Sequence, residues 1–309
     1  MWRDDTGVRG AARLVSPEQQ PRPVFAALRS ALSESRPVAL ATVISVSDGA
    51  VAHVVPGAKL VVEGQRPGPS DNGTAGQSAG SAAAGAVTGN LGDSDLDRVV
   101  ARDALAAVES GLTVTRHYGP HGEARQRSVE VFIEVFAPPP HMVIFGAVDF
   151  TSALASAAKL LGYHVVVCDA RAVFATPRRF PMADEVIVEW PNRYLDRVGG
   201  SLGPRDVVCV LTHDTKFDVP AILSALRTRV GYLGAMGSRR THETRWRALL
   251  DAGADPDELA ARLMSPIGLD IGARTPEETA VAICAEIISE RTGAAVPSLR
   301  SRVGPIHAR

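Results

Sequence analysis

Beyond Pro138-Pro139-Pro140 the chain alternates short β-branched runs with helical segments, and that alternation leaves few architectures open. Met142–Phe145, His164–Cys168, Glu185–Val188, Val207–Leu211 and Val230–Leu233 read as strands. Ser152–Leu161, Val219–Thr228, Arg239–Ala252, Asp257–Leu263 and Pro276–Arg291 read as helices, the first closed by Gly162. Strands apolar on both faces belong to a parallel sheet covered by helices on each side. The segment 138–292 is therefore expected to be a doubly wound, Rossmann-like α/β domain, with its ligand or partner surface on the loops at the carboxyl ends of the strands.

Three consecutive prolines cannot continue a central strand or a helix, so the domain boundary is placed at them. Before it lies a smaller α+β domain, expected over 21–137. It opens with a helix at 24–35 and a buried strand at Val38–Val46, and continues with a turn and strand over Val54–Val62. Leu96–Gly111 reads as an amphipathic helix capped by Gly111, and Thr113–Tyr118 and Ser128–Phe136 read as further strands. Residues 64–85 are almost entirely Gly, Ser, Ala, Pro and polar residues, and are expected to form a mobile loop. Residues 1–20 and 293–309 are expected to be flexible tails.

Composition narrows the function classes. Lys plus Arg is 33 against 34 for Asp plus Glu, which argues against a dedicated nucleic-acid binder. No apolar signal region opens the chain and no run of about 18 apolar residues occurs, so neither secretion nor a membrane span is expected. The three cysteines, Cys168, Cys209 and Cys284, sit alone in apolar patterns. They read as small hydrophobes of a reducing, cytoplasmic compartment, with no disulfide framework or structural zinc site.

Chemistry-bearing residues gather after the strands. Gly146 begins a turn with the layout of the G-x-G-x-x-G dinucleotide fingerprint, but Val148 and Thr151 stand at the second and third glycine positions. A branched Cβ at Val148 obstructs close approach of a pyrophosphate, and Asp149 puts a carboxylate at the helix start, where it repels phosphate. Asp169 ends the second strand, where such an acid bonds a ribose; its other reading is a loop carboxylate beside Arg171. His213 and Asp214 follow the fourth strand, His213 as a proton shuttle or hydrogen-bond donor and Asp218 as an orienting or capping group. After the fifth strand, Gly234 and Gly237 allow a tight turn, Ser238 can cap the next helix, and Arg239 and Arg240 flank its start. Helix amides and guanidiniums together suit an anion. The loop Ser265–Ala273, with Asp270, precedes a helix start at Thr275-Pro276-Glu277-Glu278 that has the form of a capping box.

These segments resemble a known family. GAMGSRRTHETR, SPIGLDIGARTPEETAVAICAEI, LTHDTKFD, the turn at Gly146 and the pattern Asp169-Ala170-Arg171, Phe180-Pro181, Ala183-Asp184 are similar, in order, to the C-terminal domain of the xanthine dehydrogenase accessory family, XdhC/CoxI. RPVALATVISV and PGAKLVV resemble the opening strands of its first domain. GAVTGNL falls where the family usually carries a cysteine in a glycine-rich segment, and here that position is Leu91, with Asn90 in place of a glycine. A second cysteine–glycine segment is replaced by Arg125-Gln126-Arg127-Ser128, and the turn after the first strand reads Asp48–His53.

The resemblance implies a non-catalytic maturation factor that binds molybdenum cofactor and assists its insertion into a xanthine dehydrogenase- or carbon monoxide dehydrogenase-type molybdenum hydroxylase. It implies the apoenzyme as partner, a cysteine desulfurase as a further one, and a homodimer. Gly146, Asp169, His213, Asp214, Gly234, Gly237, Ser238, Arg239, Arg240 and Asp270 are the binding candidates. A leucine can neither ligate metal nor carry sulfur, so the chain is either a member that binds cofactor without thiolate chemistry or a paralogue with another task. Two other classes stay open: an NAD(P)-binding oxidoreductase-like protein, and a ligand-free interaction module for the molybdenum enzyme. No nucleophile, base and orienter are visible together, which favours a chaperone over an enzyme.

Overall fold

The structure, a computed structural model, describes residues 22–47, 53–64, 85–124 and 126–301. The tail expected over 1–20, the turn at Asp48–Ala52, nearly all of the loop expected over 64–85, Arg125 and the last residues of the C-terminal tail lie outside them. The chain divides into two compact units that meet in sequence at Pro138 and Pro139.

The first unit is an antiparallel sheet with a helix on each face. Its elements are α1 (Arg22–Ser33), β1 (Val38–Val46), β2 (Lys59–Glu63), β3 (Val87–Asn90), α2 (Ser94–Ser110), β4 (Val114–Tyr118) and β5 (Val129–Phe136). The strand order is β3-β2-β1-β5-β4. Period-two alternation sends Ala39, Ala41 and Val43 toward α2, and Val38 and Leu40 toward α1. Helix α2 starts two residues before Leu96 because Asp93 caps it, accepting the N–H groups of Asp95 and Leu96. It ends at Gly111, whose φ of 70° is the left-handed cap conformation.

The second unit contains β6 (His141–Phe145), α3 (Asp149–Leu160), β7 (His164–Cys168), β8 (Glu185–Ile187), α4 (Pro191–Val198), β9 (Val207–Val210), α5 (Thr215–Leu226), β10 (Tyr232–Ala235), α6 (Arg239–Asp251), α7 (Pro256–Arg262), β11 (Leu263–Met264) and α8 (Pro276–Thr292). The strands are all parallel, in the order β11-β10-β9-β6-β7-β8. Met142, Ile144, Val165 and Val167 pack with α3 and α8, and Val143, Phe145, Val166 and Cys168 pack with α4, α5, α6 and α7. Burial on both faces explains why these strands read as unbroken apolar runs. The strand order reverses between β6 and β9, and the carboxyl ends of those two strands mark the switch point where such sheets hold ligands.

Three local expectations need correction. Helix α5 begins at Thr215 rather than Val219, because Asp214 accepts the Lys216 N–H and caps it; Asp218 lies inside the helix, buried. Helix α4 was not expected at all: the segment PNRYLDRV is mostly polar, and only Pro191, Tyr194 and Leu195 of it are buried. The fifth strand of the unit runs from Tyr232 to Ala235, so Gly234 is a strand residue and not part of a turn.

Candidate functional site

The turn after β6 is tightly built. Gly146 has φ +113°, and a Cβ there would lie 2.8 Å from Thr212 Cγ2 and 3.1 Å from the Thr212 nitrogen. Only glycine lets the loops after β6 and β9 meet so closely. Thr151, at the third fingerprint position, is buried, and its hydroxyl donates to the Gly146 carbonyl at 2.5 Å. The turn is thus closed by side-chain chemistry in place of a glycine.

Asp169 completes that closure. It is 3% exposed. One oxygen accepts the Ala147 N–H at 2.8 Å and Arg171 Nη2 at 2.7 Å. The other accepts the Arg171 backbone N–H and Nε, both at 2.9 Å. The arrangement matches the loop-carboxylate reading, and it leaves this acid little capacity for a ribose hydroxyl. Burial pushes the Asp169 carboxyl up, but the bonds from Arg171 and Ala147 outweigh it and hold the group below the usual carboxylate range. A carboxyl depressed in this way contributes stability above its unfolded value and loses it as pH falls through the folded one. Asp169→Asn is expected to be less stable than the parent at neutral pH, and the gap is expected to close as pH falls below the ordinary carboxylate value of about 3.9. Urea unfolding across that range checks this, and a gap independent of pH would contradict it.

Beside the switch point lies a set of polar groups that the sequence did not reveal. Asp218 and Arg245 form an ion pair with both side chains 1% exposed. Arg245 Nε and Nη2 donate to Asp218 Oδ2 at 3.0 and 2.7 Å, Nη2 also donates to the Met236 carbonyl at 2.7 Å, and Nη1 donates to Ser265 Oγ at 3.3 Å. The Thr212 hydroxyl donates to the other Asp218 oxygen. Burial pushes the Asp218 carboxyl up, opposed by Thr212 and Arg245. The network ties α5 and α6 to the loops after β9, β10 and β11.

Above it open two clefts that share His213. The first, of about 220 Å³, is lined by Thr215, Asp218, Arg240, Thr241, Thr244 and Arg245 besides His213. The second, of about 320 Å³, adds Phe150, Met236, Gly237, Ser238, Ile267 and Thr279 to His213. Ser238 caps α6 by accepting the Thr241 N–H at 3.1 Å. Gly237 has φ +152°, and a Cβ there would press on Thr241 at 3.0 Å. Of the binding candidates, His213, Gly237, Ser238 and Arg240 therefore gather at these clefts. Arg239 is exposed at the start of α6 and lines neither. Gly234 lies beneath, where a Cβ would meet Ile267 at 2.4 Å; it is a packing residue. Asp270 is exposed on the loop before α8 and lines neither cleft. That loop is anchored to α8 by Glu286, which accepts the Gly268 N–H at 2.8 Å and the Tyr232 hydroxyl at 2.5 Å.

The guanidiniums of Arg239 and Arg240 have no hydrogen-bond or ion-pair partner among the described residues, and no acid occupies the first turn of α6. Cations at the positive end of a helix dipole are unfavourable without a nearby anion. The thiols, by contrast, are inert. All three cysteines are buried, and burial pushes Cys168 up to about 12 and Cys284 up to about 11. No cluster of His, Cys, Asp and Glu suited to a metal ion occurs among the described residues. Leu91 is fully buried in the first unit's core and its N–H donates to Asp97 at 2.7 Å. No described helix is long and apolar enough to cross a membrane.

A parallel sheet whose order reverses between β6 and β9, helices on both faces and polar clefts on its carboxyl edge define the second unit as a Rossmann domain. Residues 142–287, nearly the whole second unit, match the XdhC Rossmann domain, and that unit is a domain of the XdhC family. A Bacillus subtilis (strain 168) protein named as a probable xanthine dehydrogenase subunit is 33% identical over 184 residues, covering 60% of this chain and 52% of that protein. The Escherichia coli (strain K12) molybdenum cofactor insertion chaperone PaoD is 33% identical over 84 residues, 27% of this chain and 26% of its own length. The crystal structure of a xanthine dehydrogenase from Bacillus halodurans aligns with a TM-score of 0.46 at 20% identity, over 91% of this chain and 98% of that one. The chain spans about half or less of the length of these two curated relatives.

Proposed function

We propose that this chain is a maturation factor that holds molybdenum cofactor on the carboxyl edge of its Rossmann domain and assists its insertion into a xanthine dehydrogenase- or carbon monoxide dehydrogenase-type molybdenum hydroxylase in the cytoplasm. The observation that carries the reading is the meeting of His213 and the unpaired Arg240 in one cleft of that edge. The names of its relatives, a cofactor insertion chaperone and a protein of xanthine dehydrogenase, point the same way. The residues fit the cofactor's anionic organic part. They offer the metal no cluster of protein ligands among the described residues, so the chain would hold the cofactor by its pterin end. Sulfuration is then the work of a separate cysteine desulfurase, because the described thiols are buried. The apoenzyme is the receiving partner, and self-association as a homodimer belongs to the same reading.

A dinucleotide reading has the strand order in its favour, but Asp169 already spends both oxygens on Arg171 and Ala147. The test is to mix the purified chain with molybdenum cofactor released from a molybdenum enzyme, separate by gel filtration and quantify the pterin by fluorescence. Cofactor is expected to elute with the parent and to be lost from Arg240→Ala. Free elution from both, or equal retention by both, overturns the proposal. Micromolar NADH binding in its place would promote the dinucleotide reading.

A further inference from the structure

The two clefts differ in chemistry, and their division at His213 restricts what can bind. The first is walled by the hydroxyls of Thr215, Thr241 and Thr244 and by the Arg240 guanidinium, with Arg245 in its floor. Arg245 is 1% exposed. A guanidinium has five N–H donors. Those on Nε and Nη2 are all committed, while Nη1 donates only to Ser265, and at the long distance of 3.3 Å. One N–H of this buried cation therefore has no partner among the described residues. A Cβ at position 237 would come within 3.6 Å of Nη1, so Gly237 leaves that atom uncovered. Asp218 does not reverse the local charge, since both its oxygens are taken by Thr212 and Arg245. Two guanidiniums, an imidazole and the Thr215 and Thr241 hydroxyls form a donor set of the kind that surrounds a tetrahedral oxyanion, while the Thr244 hydroxyl donates to the Arg240 carbonyl. The second cleft is walled by Phe150, Met236 and Ile267, an apolar surface with Ser238 and Thr279 at its polar margin.

We infer that the site takes a phosphate monoester of a flat ring compound, with the phosphate between Arg240 and Arg245 and the ring against Phe150 and Met236, His213 lying between the two parts. This deepens the proposed function, on which it rests for the identity of the natural guest, and it assigns Arg240 and Arg245 in place of Arg239. The probes are inorganic phosphate and phenyl phosphate, titrated into the full chain by calorimetry. Phenyl phosphate is expected to bind at least about tenfold more tightly than inorganic phosphate. Arg240→Ala, at an exposed position where folding is safe, is expected to weaken both by about tenfold or more. Phe150→Ala is expected to weaken phenyl phosphate alone, and Arg239→Ala to change neither.

The inference is overturned if neither probe binds, if Arg240→Ala binds both as the parent does, or if phenyl phosphate shows no advantage. Competition with cofactor retention separates the two levels. Phosphate binding with no cofactor retained sinks the proposed function and leaves the subsite standing. Cofactor retained undisturbed by either probe sinks the subsite and leaves the function standing.

Discussion

Replacing Arg245 with methionine while Asp218 stays in place is expected to destabilise the protein by about 3–5 kcal/mol. Both side chains are 1% exposed, so the variant strands a carboxylate in the interior with only the Thr212 hydroxyl for company. It also removes the donors to the Met236 carbonyl and Ser265. The ion pair need not stabilise the fold more than apolar residues of similar volume would; the cost lies in parting it. Asp218→Leu combined with Arg245→Met is therefore expected to recover most of the loss. Urea midpoints at an unchanged slope measure both effects. A single-variant loss under about 1 kcal/mol would show that water reaches Asp218 and that the pair is not a sealed unit.

Leu91→Ala is expected to cost about 2–5 kcal/mol, because the side chain is fully buried against α2 and the sheet of the first unit. Leu91→Cys, which installs the cysteine that the family resemblance implies at this place, is expected to cost less than alanine and to produce an unreactive thiol. Full burial would push such a thiol upward, as burial does for Cys168 and Cys284 in the second unit. Alkylation of the native Leu91→Cys chain should modify no thiol until urea unfolds it. Rapid native modification would mean that this segment opens, and that a cysteine there could serve as a ligand or carrier after all.

The second unit's architecture was legible because a doubly wound sheet buries both faces of each strand, and runs such as HVVVC announce that directly. The make-up of its candidate clefts was legible only in part. His213, Gly237, Ser238 and Arg240 stood out because loops carry few residues whose packing explains them. Gly234 misled, since glycine marks a turn in a sequence as readily as a strand position pressed by Ile267. The capping role fell to Asp214 rather than Asp218, two carboxylates that only their depth distinguishes. Arg245 was hidden in RRTHETRWRALLD, a helix so polar that it reads as solvated. The available signal was its spacing of one turn from Leu249, the other buried residue of α6, which places both on the inward face. Sequence spacing gives the face; it does not say that an arginine there has found a buried acid 27 positions away.

The two clefts share His213 as a lining residue, so a guest that fills both would lie astride it. One part of such a guest would touch α5 and α6, and the other would touch Phe150 on α3 and Thr279 on α8. Those helices belong to opposite layers of the sandwich. The cargo would then act as a clasp across the rim of the sheet, and a loaded chain would differ from an empty one in stiffness more than in shape.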